Sequence, residues 1–269
     1  MISLEHKQRL HFLDSYLANP TNPLILHLIG AGGTGSAMLS SLARLQITLL
    51  AMGHPGFDLI LWDDDVVTEF NIGRQLFSPA ELGLPKSVAL INRINRFMGF
   101  DWKAQVVKFP VLERLSNDQD LIGSIYITCV DNVKARFDLV HTIDNFLYSG
   151  FSRNTPRYWL DIGNSKDFGQ AVLSTIGEVK QPDVSIGKTI AHLPSVIEEY
   201  GELLVNSEEQ DDTPSCSIED ALKKQSLFIN STLALLATDI LSDLFIYGKI
   251  SERGFFLNLK NKTCQPLKV

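Results

Sequence analysis

The chain has 269 residues, of which 45% are hydrophobic and 20% charged, so it can bury a full core and has the composition of a globular protein. Its 31 acidic and 24 basic residues give a net charge of −7, which argues against broad nucleic-acid binding because such binding requires a basic face. Cys129, Cys216 and Cys264 form no C-x-x-C pair, so a reducing, cytoplasmic setting without zinc or disulfides is expected.

The N-terminal segment is charged and amphipathic and lacks the apolar core of a signal peptide. The longest apolar run, Leu227 to Tyr247, contains Asn230, Asp239 and Asp243. Polar residues of this kind favour a buried helix over a membrane span, and we therefore expect no membrane partner.

Short apolar runs alternate with stretches of helical spacing along the chain. Strands are predicted at 24–29, 57–62, 102–109, 121–130, 158–162, 170–176 and 254–259. Helices are predicted at 36–50, 85–97, 133–146 and 195–200, and within 218–248. The alternation predicts an α/β fold with a Rossmann-like, doubly wound and mostly parallel sheet.

Residues 177–217 are rich in Pro, Ser, Glu and Asp and are predicted to form a loop-rich crossover. We expect a single domain over 1–269, in which 1–150 is a nucleotide-binding half. The remainder, 151–269, is then a loop-rich C-terminal extension of the sheet.

A glycine-rich turn separates the first predicted strand from the first predicted helix. Gly30, Gly32 and Gly35 match G-x-G-x-x-G, and Gly33 lies inside the motif. Glycine permits the tight turn and lets a phosphate approach the backbone, and the helix N-terminus favours an anion. The motif indicates a nucleotide site but does not separate NAD, FAD and ATP, and a purely structural turn is the alternative.

Polar residues after the second predicted strand narrow the choice. Asp63 stands where a carboxylate commonly accepts from ribose hydroxyls, and Asp65 follows. Four further polar residues come next: Asn71, Arg74, Gln75 and Lys86. Arg74 and Lys86 could hold the β- and γ-phosphates and stabilise a pyrophosphate leaving group, although either one alone could form a surface salt bridge.

Asp131 follows the fourth predicted strand and is expected at the same carboxyl-terminal edge of the sheet. A carboxylate there is well placed to bind Mg²⁺, which prefers oxygen ligands and bridges phosphates.

Taken in order, these motifs resemble the ThiF/MoeB/HesA and ubiquitin-activating-enzyme superfamily. The resemblance rests on G-x-G-G-x-G, D-x-D-x-V-x-x-x-N-x-x-R-Q, Lys86 and Asp131-Asn132-Val133-x-x-Arg136. The segments FNIGRQLF and TPSCSIEDALKKQSLFINSTLA more closely resemble the ThiF-family protein of bacterial PRTRC gene clusters. That family is usually plasmid-borne and accompanied by a small ubiquitin-like protein.

The resemblance implies ATP-dependent adenylation of the C-terminal glycine of a ubiquitin-like or sulfur-carrier protein, which would bind the second half of the chain. It implies that Asp63 holds the ribose, that Asn71, Arg74 and Lys86 hold the phosphates, and that Asp131 holds Mg²⁺. Further ATP-binding positions that it implies are Gly30, Gly32, Gly33, Gly35, Asp65, Gln75 and Asn132. It also implies a homodimer in which an N-terminal arginine enters the partner's site, and Arg9 is the nearest candidate.

The sequence departs from the superfamily in two places. Phe70 stands where the superfamily has a serine, directly before Asn71. The paired C-x-x-C zinc ligands of several members are absent, so no structural zinc is expected. Cys216 lies in a segment that resembles the P-x-C-T-I segment of ubiquitin-activating enzymes, whose cysteine takes the activated partner as a thioester. A thiol at a helix N-terminus has a lowered pKa, but an ordinary loop cysteine is an equal alternative.

Two other functions remain open. An NAD-dependent oxidoreductase on the same fold would leave Asn71, Arg74, Gln75 and Lys86 unexplained. A non-catalytic nucleotide-binding subunit of a heterodimeric activating enzyme would not need this phosphate-handling set. The sequence identifies neither the partner nor the group that receives the activated carboxyl.

Overall fold

The computed structural model describes residues 8–110, 121–148, 155–184, 187–208 and 226–269. The strands are β1 (Arg9–Phe12), β2 (Leu24–Ile29), β3 (Phe57–Trp62), β4 (Lys103–Gln105), β5 (Ile125–Thr128), β6 (Tyr158–Asn164), β7 (Phe168–Thr175), β8 (Lys188–Thr189), β9 (Lys249–Ile250), β10 (Glu252–Asn258) and β11 (Thr263–Lys268). The helices are α1 (Ser15–Ala18), α2 (Gly33–Ala51), α3 (Lys86–Met98), α4 (Val133–Tyr148), α5 (Val196–Glu208) and α6 (Ile229–Tyr247).

Within these residues, eight strands form the main sheet in the order β11-β10-β7-β6-β5-β2-β3-β4. The five strands from β6 to β4 are parallel, and β7, β10 and β11 extend the sheet with antiparallel pairings. The predicted α/β class with a Rossmann-like, mostly parallel sheet is therefore confirmed.

The central strands are apolar because helices cover both faces of the sheet. Along β2, LILHLI, every residue except Ile25 is buried. On one face the core joins the strands to α2, α3 and α6, and on the other it joins them to α4 and the start of α5. The register pairs Ile29 with Trp62 and with Thr128, so β2, β3 and β5 end side by side.

The apolar helix α6 is a core element in this structure. By length and composition it is the one helix among the described residues that could cross a membrane, but half of its most apolar window is buried. It packs against α2 and against β6 and β7.

A small second sheet, in the order β8-β1-β9, was not predicted. Arg9 pairs in parallel with Lys188, and His11 pairs antiparallel with Ile250. The N-terminal segment thereby joins the crossover region to the residues that follow α6.

Several predicted boundaries are corrected. The strand predicted at 102–109 ends at Gln105, because this edge segment has β3 as its only described strand partner and Asp63 N–H takes the Gln105 carbonyl. The strand predicted at 121–130 begins at Ile125, since the Tyr126 hydroxyl bonds the backbone of Leu121 and Gly123 and turns the chain. Helix α2 begins three residues before its predicted start, and α5 extends beyond 195–200.

Candidate active site

The glycine turn follows β2 and leads directly into α2. Gly30 has φ +95°, and a Cβ on Gly35 would lie 1.8 Å from the Gly30 carbonyl oxygen, so both positions require glycine. Gly33 packs against Asn230, whereas Gly32 has open space where its side chain would be. Gly32 is also the N-cap residue of α2 and supplies no side-chain cap, so the helix begins with amides turned toward an open site.

Asp63 joins the end of β3 to this turn. Its Oδ2 accepts a 2.6 Å hydrogen bond from Ala31 N–H, and its Oδ1 accepts one of 3.0 Å from Asp65 N–H. Burial raises the pKa of this carboxyl above its ordinary value, while these bonds and the Lys86 charge oppose the shift. Asp63 therefore lies at the end of β3, as the sequence predicts, and is bonded to the glycine turn.

Lys86 is held at the same edge of the sheet. Its Nζ lies 2.6 Å from Asp65 Oδ2, and its backbone N–H donates to the Asp65 carbonyl at 2.9 Å. The lysine side chain is only 8% exposed but that of Asp65 is 66% exposed, so the ammonium is largely shielded while its counter-ion faces solvent. Lys86 therefore presents a fixed positive charge at the start of α3.

The segment between β3 and α3 carries the remaining phosphate-handling candidates. Asn71 closes a capping box, because its Oδ1 accepts from Thr68 N–H at 2.8 Å and from the Thr68 hydroxyl at 3.0 Å. The Asn71 carbonyl accepts from Gln75 N–H at 2.9 Å, which makes a compact loop. Phe70, in place of the expected serine, is 45% exposed.

Two side-chain atoms of this loop are buried without a hydrogen-bond partner among the described residues, namely Arg74 Nε and Gln75 Oε1. An unsatisfied buried polar atom costs about 1–3 kcal/mol, so such atoms are rare in native proteins and are commonly met by a ligand or water. The arginine donor suits a phosphate oxygen, whereas the amide oxygen can accept only from a hydroxyl or amino group, and these two atoms are the structural support for a ligand here.

The loop after β5 completes the edge of the site. A Cβ on Gly30 would lie 2.7 Å from the Cys129 carbonyl oxygen, so this loop is next to the glycine turn. Asp131 is exposed, and its Oδ1 accepts from Asn132 Nδ2 at 3.3 Å. Asn132 also caps α4, since its Oδ1 accepts from Ala135 N–H at 2.8 Å. An exposed carboxylate beside a phosphate cradle has the donor chemistry that Mg²⁺ prefers.

The glycine turn, Asp63 and Asp131 follow the carboxyl ends of β2, β3 and β5, and Lys86 begins α3. The other candidates after β3, Asn71, Arg74 and Gln75, lie in the loop between β3 and α3. Two candidates are not placed with them. Cys216 lies outside the described residues. Arg9 lies on β1 in the second sheet, and no described hydrogen bond or ion pair joins its side chain to the glycine turn. No group of three or more His, Cys, Asp or Glu side chains that could hold a metal ion occurs among the described residues.

Sequence reasoning missed a buried polar cluster behind the site. Arg136 and Asp161 form an ion pair whose side chains are 5% and 1% exposed. The Thr128 hydroxyl donates to Asp161 and accepts from Trp159 Nε1. The available signal was Asp161 itself, because a carboxylate within a fully apolar strand requires a buried partner. Cys129 adjoins this cluster, and burial, with a smaller contribution from Asp161, raises the pKa of its thiol.

Comparisons with known proteins agree with this fold. A family model described as "ThiF family" matches residues 24–268. Among solved structures, E. coli MccB with MccA-N7isoASN is similar at a TM-score of 0.53 and 14% identity, covering 94% of this chain and 64% of that one. SeMet PaaA is similar at a TM-score of 0.58 and 15% identity, covering 91% of this chain and 64% of that one.

E. coli MccB crystallised with ATP is similar at a TM-score of 0.52 and 14% identity, covering 92% of this chain and 64% of that one. The chain therefore spans just under two thirds of the length of these neighbours, and identities this low establish the fold alone. A search of curated proteins gives no significant match.

Proposed function

The chain belongs to the ThiF family, and from that premise we propose that it adenylates the C-terminal carboxylate of a partner protein with ATP. The observation that carries the proposal is a pair of buried atoms in the loop between β3 and α3, Arg74 Nε and Gln75 Oε1, that have no hydrogen-bond partner among the described residues. An NAD site would use the turn and Asp63 but has no β- and γ-phosphates for Arg74 and Lys86 to hold. The structure of MccB with ATP supports the choice of nucleotide.

The geometry supports a role for each residue in this proposal. Asp63 accepts from the ribose hydroxyls with lone pairs that its bonds to Ala31 and Asp65 leave over. The partner carboxylate oxygen forms a bond to the α-phosphorus, and the bond from that phosphorus to the β-phosphate breaks. Pyrophosphate leaves with the bonding electron pair, and Arg74 and Lys86 stabilise the charge that it gains.

Magnesium fits the residues present, because Asp131 is an exposed carboxylate in the loop that contacts the glycine turn. Asp131 would hold the metal, which when bound would neutralise phosphate charge. Asn132 keeps the carboxylate at the start of α4.

The partner proposed is a small ubiquitin-like protein that ends in glycine, in a cytoplasmic PRTRC-type system. MccB has been crystallised with MccA, which supports a small protein partner for this fold. A homodimer with Arg9 acting across the interface, and a thioester on Cys216, belong to the same proposal.

Nucleotide choice is tested by calorimetric titration with MgATP and with NAD⁺. Arg74→Ala is expected to weaken ATP binding by about tenfold to a hundredfold, because hydrogen bonds to charged groups contribute roughly 1.5–3 kcal/mol. Arg44→Ala, at an exposed position of α2, is the control and should bind like the unsubstituted chain. Tighter binding of NAD⁺ than of ATP, or normal ATP binding by Arg74→Ala, contradicts the proposal.

Chemistry is tested by exchange of radiolabelled pyrophosphate into ATP, using as candidate partner a small ubiquitin-like protein that ends in glycine. Exchange should depend on that protein and disappear in Arg74→Ala. On non-reducing gels, Cys216→Ala should lose a thiol-sensitive adduct while exchange persists. An adduct that survives this substitution would refute the role of Cys216.

A further inference from the structure

Arg136 occupies an unusual position directly behind the site. It lies on the first turn of α4, and its side chain is 5% exposed. Burying a guanidinium is costly unless its donors are satisfied, so the groups that it contacts show what it does.

The three described contacts of the guanidinium go to three different places. Its Nε donates to Asp161 Oδ1 at 2.8 Å. One terminal nitrogen donates to the Val130 carbonyl at 3.0 Å, and the other donates to the Asn132 carbonyl at 3.3 Å. These two carbonyls belong to the residues immediately before and after Asp131.

Asp161 is anchored from its other side. Thr128 donates its hydroxyl proton to Asp161 Oδ1 at 2.6 Å, and Trp159 Nε1 donates to the Thr128 hydroxyl at 2.8 Å. The anchor therefore spans β5 and β6, two rigid neighbouring strands of the sheet.

The pairing is not the one that would best stabilise an isolated ion pair. An arginine and a carboxylate bind most strongly through two parallel bonds, one to each carboxylate oxygen. Here Asp161 Oδ2 is buried without a partner among the described residues, while the terminal nitrogens contact the loop carbonyls instead. The arrangement gives up one strong bond and fixes the backbone on both sides of Asp131.

We propose that Arg136, held by Asp161, is a positioning residue that fixes the Asp131 carboxylate for its divalent cation. The inference rests on the proposed function, since it concerns the metal of the ATP site. Arg136 touches neither nucleotide nor metal in this assignment. It acts by removing freedom from residues 130–132, as groups behind a metal ligand commonly do.

Mn²⁺ is the probe, because its binding can be followed by electron paramagnetic resonance in the presence of a non-hydrolysable ATP analogue. Arg136→Met should weaken Mn²⁺ binding to the nucleotide complex by roughly tenfold to a hundredfold. Binding of the analogue in EDTA should change much less. Arg136→Lys should not restore Mn²⁺ affinity, since an ammonium cannot reproduce the fork, and it carries the test if Arg136→Met does not fold.

Arg253 offers a matched control in the same chain. It is also a buried arginine, paired with Glu199 and bonded to the Pro194 carbonyl at 2.8 Å, and it lies on β10. Arg253→Met should lower the free energy of unfolding by an amount similar to that of Arg136→Met and leave Mn²⁺ affinity unchanged.

The outcomes separate the two claims. If the unsubstituted chain binds neither the ATP analogue nor Mn²⁺ in its presence, the proposed function fails. If it binds both and Arg136→Lys binds Mn²⁺ normally, only the positioning role is overturned. Equal loss of Mn²⁺ affinity in Arg136→Lys and Arg253→Met would also overturn it, because the effect would then be one of stability.

Discussion

His27 shows how one polar residue is accommodated in a fully covered strand. It lies in β2 and is fully buried, and its Nδ1 accepts from Trp62 Nε1–H at 3.0 Å. The ring also stacks on Tyr126 with a centroid distance of 5.0 Å. Since the indole can only donate, the imidazole must be neutral at Nδ1, and burial lowers the pKa of His27 to about 3.

The depressed pKa of His27 predicts a loss of stability in mild acid. The unfolded chain binds a proton near pH 6.5, but the folded chain does not until about pH 3. The contribution of His27 to the free energy of unfolding is therefore complete above pH 6.5 and falls by about 1.4 kcal/mol per pH unit below it. Urea unfolding between pH 7 and pH 4.5 should show a shallower pH dependence for His27→Gln, whose amide oxygen can still accept from Trp62.

His141→Gln is the matched comparison, because His141 is exposed on α4. It should keep the pH dependence of the unsubstituted chain. An unchanged slope in His27→Gln would show that His27 is not the group responsible.

At the same scale, site residues were predictable where a residue type has one common role at the end of a strand or the start of a helix. Asp63 follows a strand end and Lys86 begins a helix, so their position at one edge of the sheet followed from the parallel order of the strands. The Arg136–Asp161 pair was not predictable, because it joins α4 to β6 and so depends on how the helix packs against the sheet. The spacing of 25 residues between the two carries no periodic signal.

At the scale of elements, the glycine turn has one closed side and one open side. Gly35 faces the backbone of Gly30, whereas nothing lies within 4 Å of a Cβ placed on Gly32. The closed side holds α2 against β2, and the open side is where a phosphate would approach.

This difference predicts that one alanine substitution lowers stability and that another weakens ATP binding. Gly35→Ala places a methyl group on a carbonyl oxygen and should destabilise the fold by more than about 1 kcal/mol. Gly32→Ala should change stability by less than about 1 kcal/mol, yet weaken ATP binding, because its methyl group projects toward the open side. Thermal unfolding and MgATP titration of both variants distinguish the two effects. Normal ATP binding by a folded Gly32→Ala variant would place the phosphates elsewhere.

Long elements with clear ends were predictable from the sequence, and very short strands were not. The runs that became β2, β3 and α3 have clear periodicity and clear ends, and they appear close to the predicted positions. The short strands β1, β8 and β9 have two to four residues each, so no period can develop in them. Their existence depends on pairing between residues far apart in the chain.

At the scale of the whole molecule, the N-terminal segment ties the two halves of the fold together. His11 is fully buried, with Nδ1 2.7 Å from the Ile190 carbonyl and Nε2 2.9 Å from the Tyr158 hydroxyl. The same hydroxyl accepts from Asp14 N–H at 3.1 Å. Burial lowers the pKa of His11, so the ring is neutral. It donates a hydrogen bond from Nδ1 to the Ile190 carbonyl and accepts one at Nε2 from the Tyr158 hydroxyl.

Tyr158→Phe tests this connection, since it removes one hydroxyl that serves two buried partners. Leaving His11 Nε2 and Asp14 N–H unsatisfied should cost about 1–3 kcal/mol of unfolding free energy. Amide exchange at 9–12 should accelerate more than exchange at β2, because the lost bonds hold β1 and not the central sheet. Tyr247→Phe, at a side chain that is 70% exposed, should show neither effect. Equal acceleration of amide exchange in β1 and β2 would contradict this, because the Tyr158 hydroxyl would then stabilise the whole core and not β1 in particular.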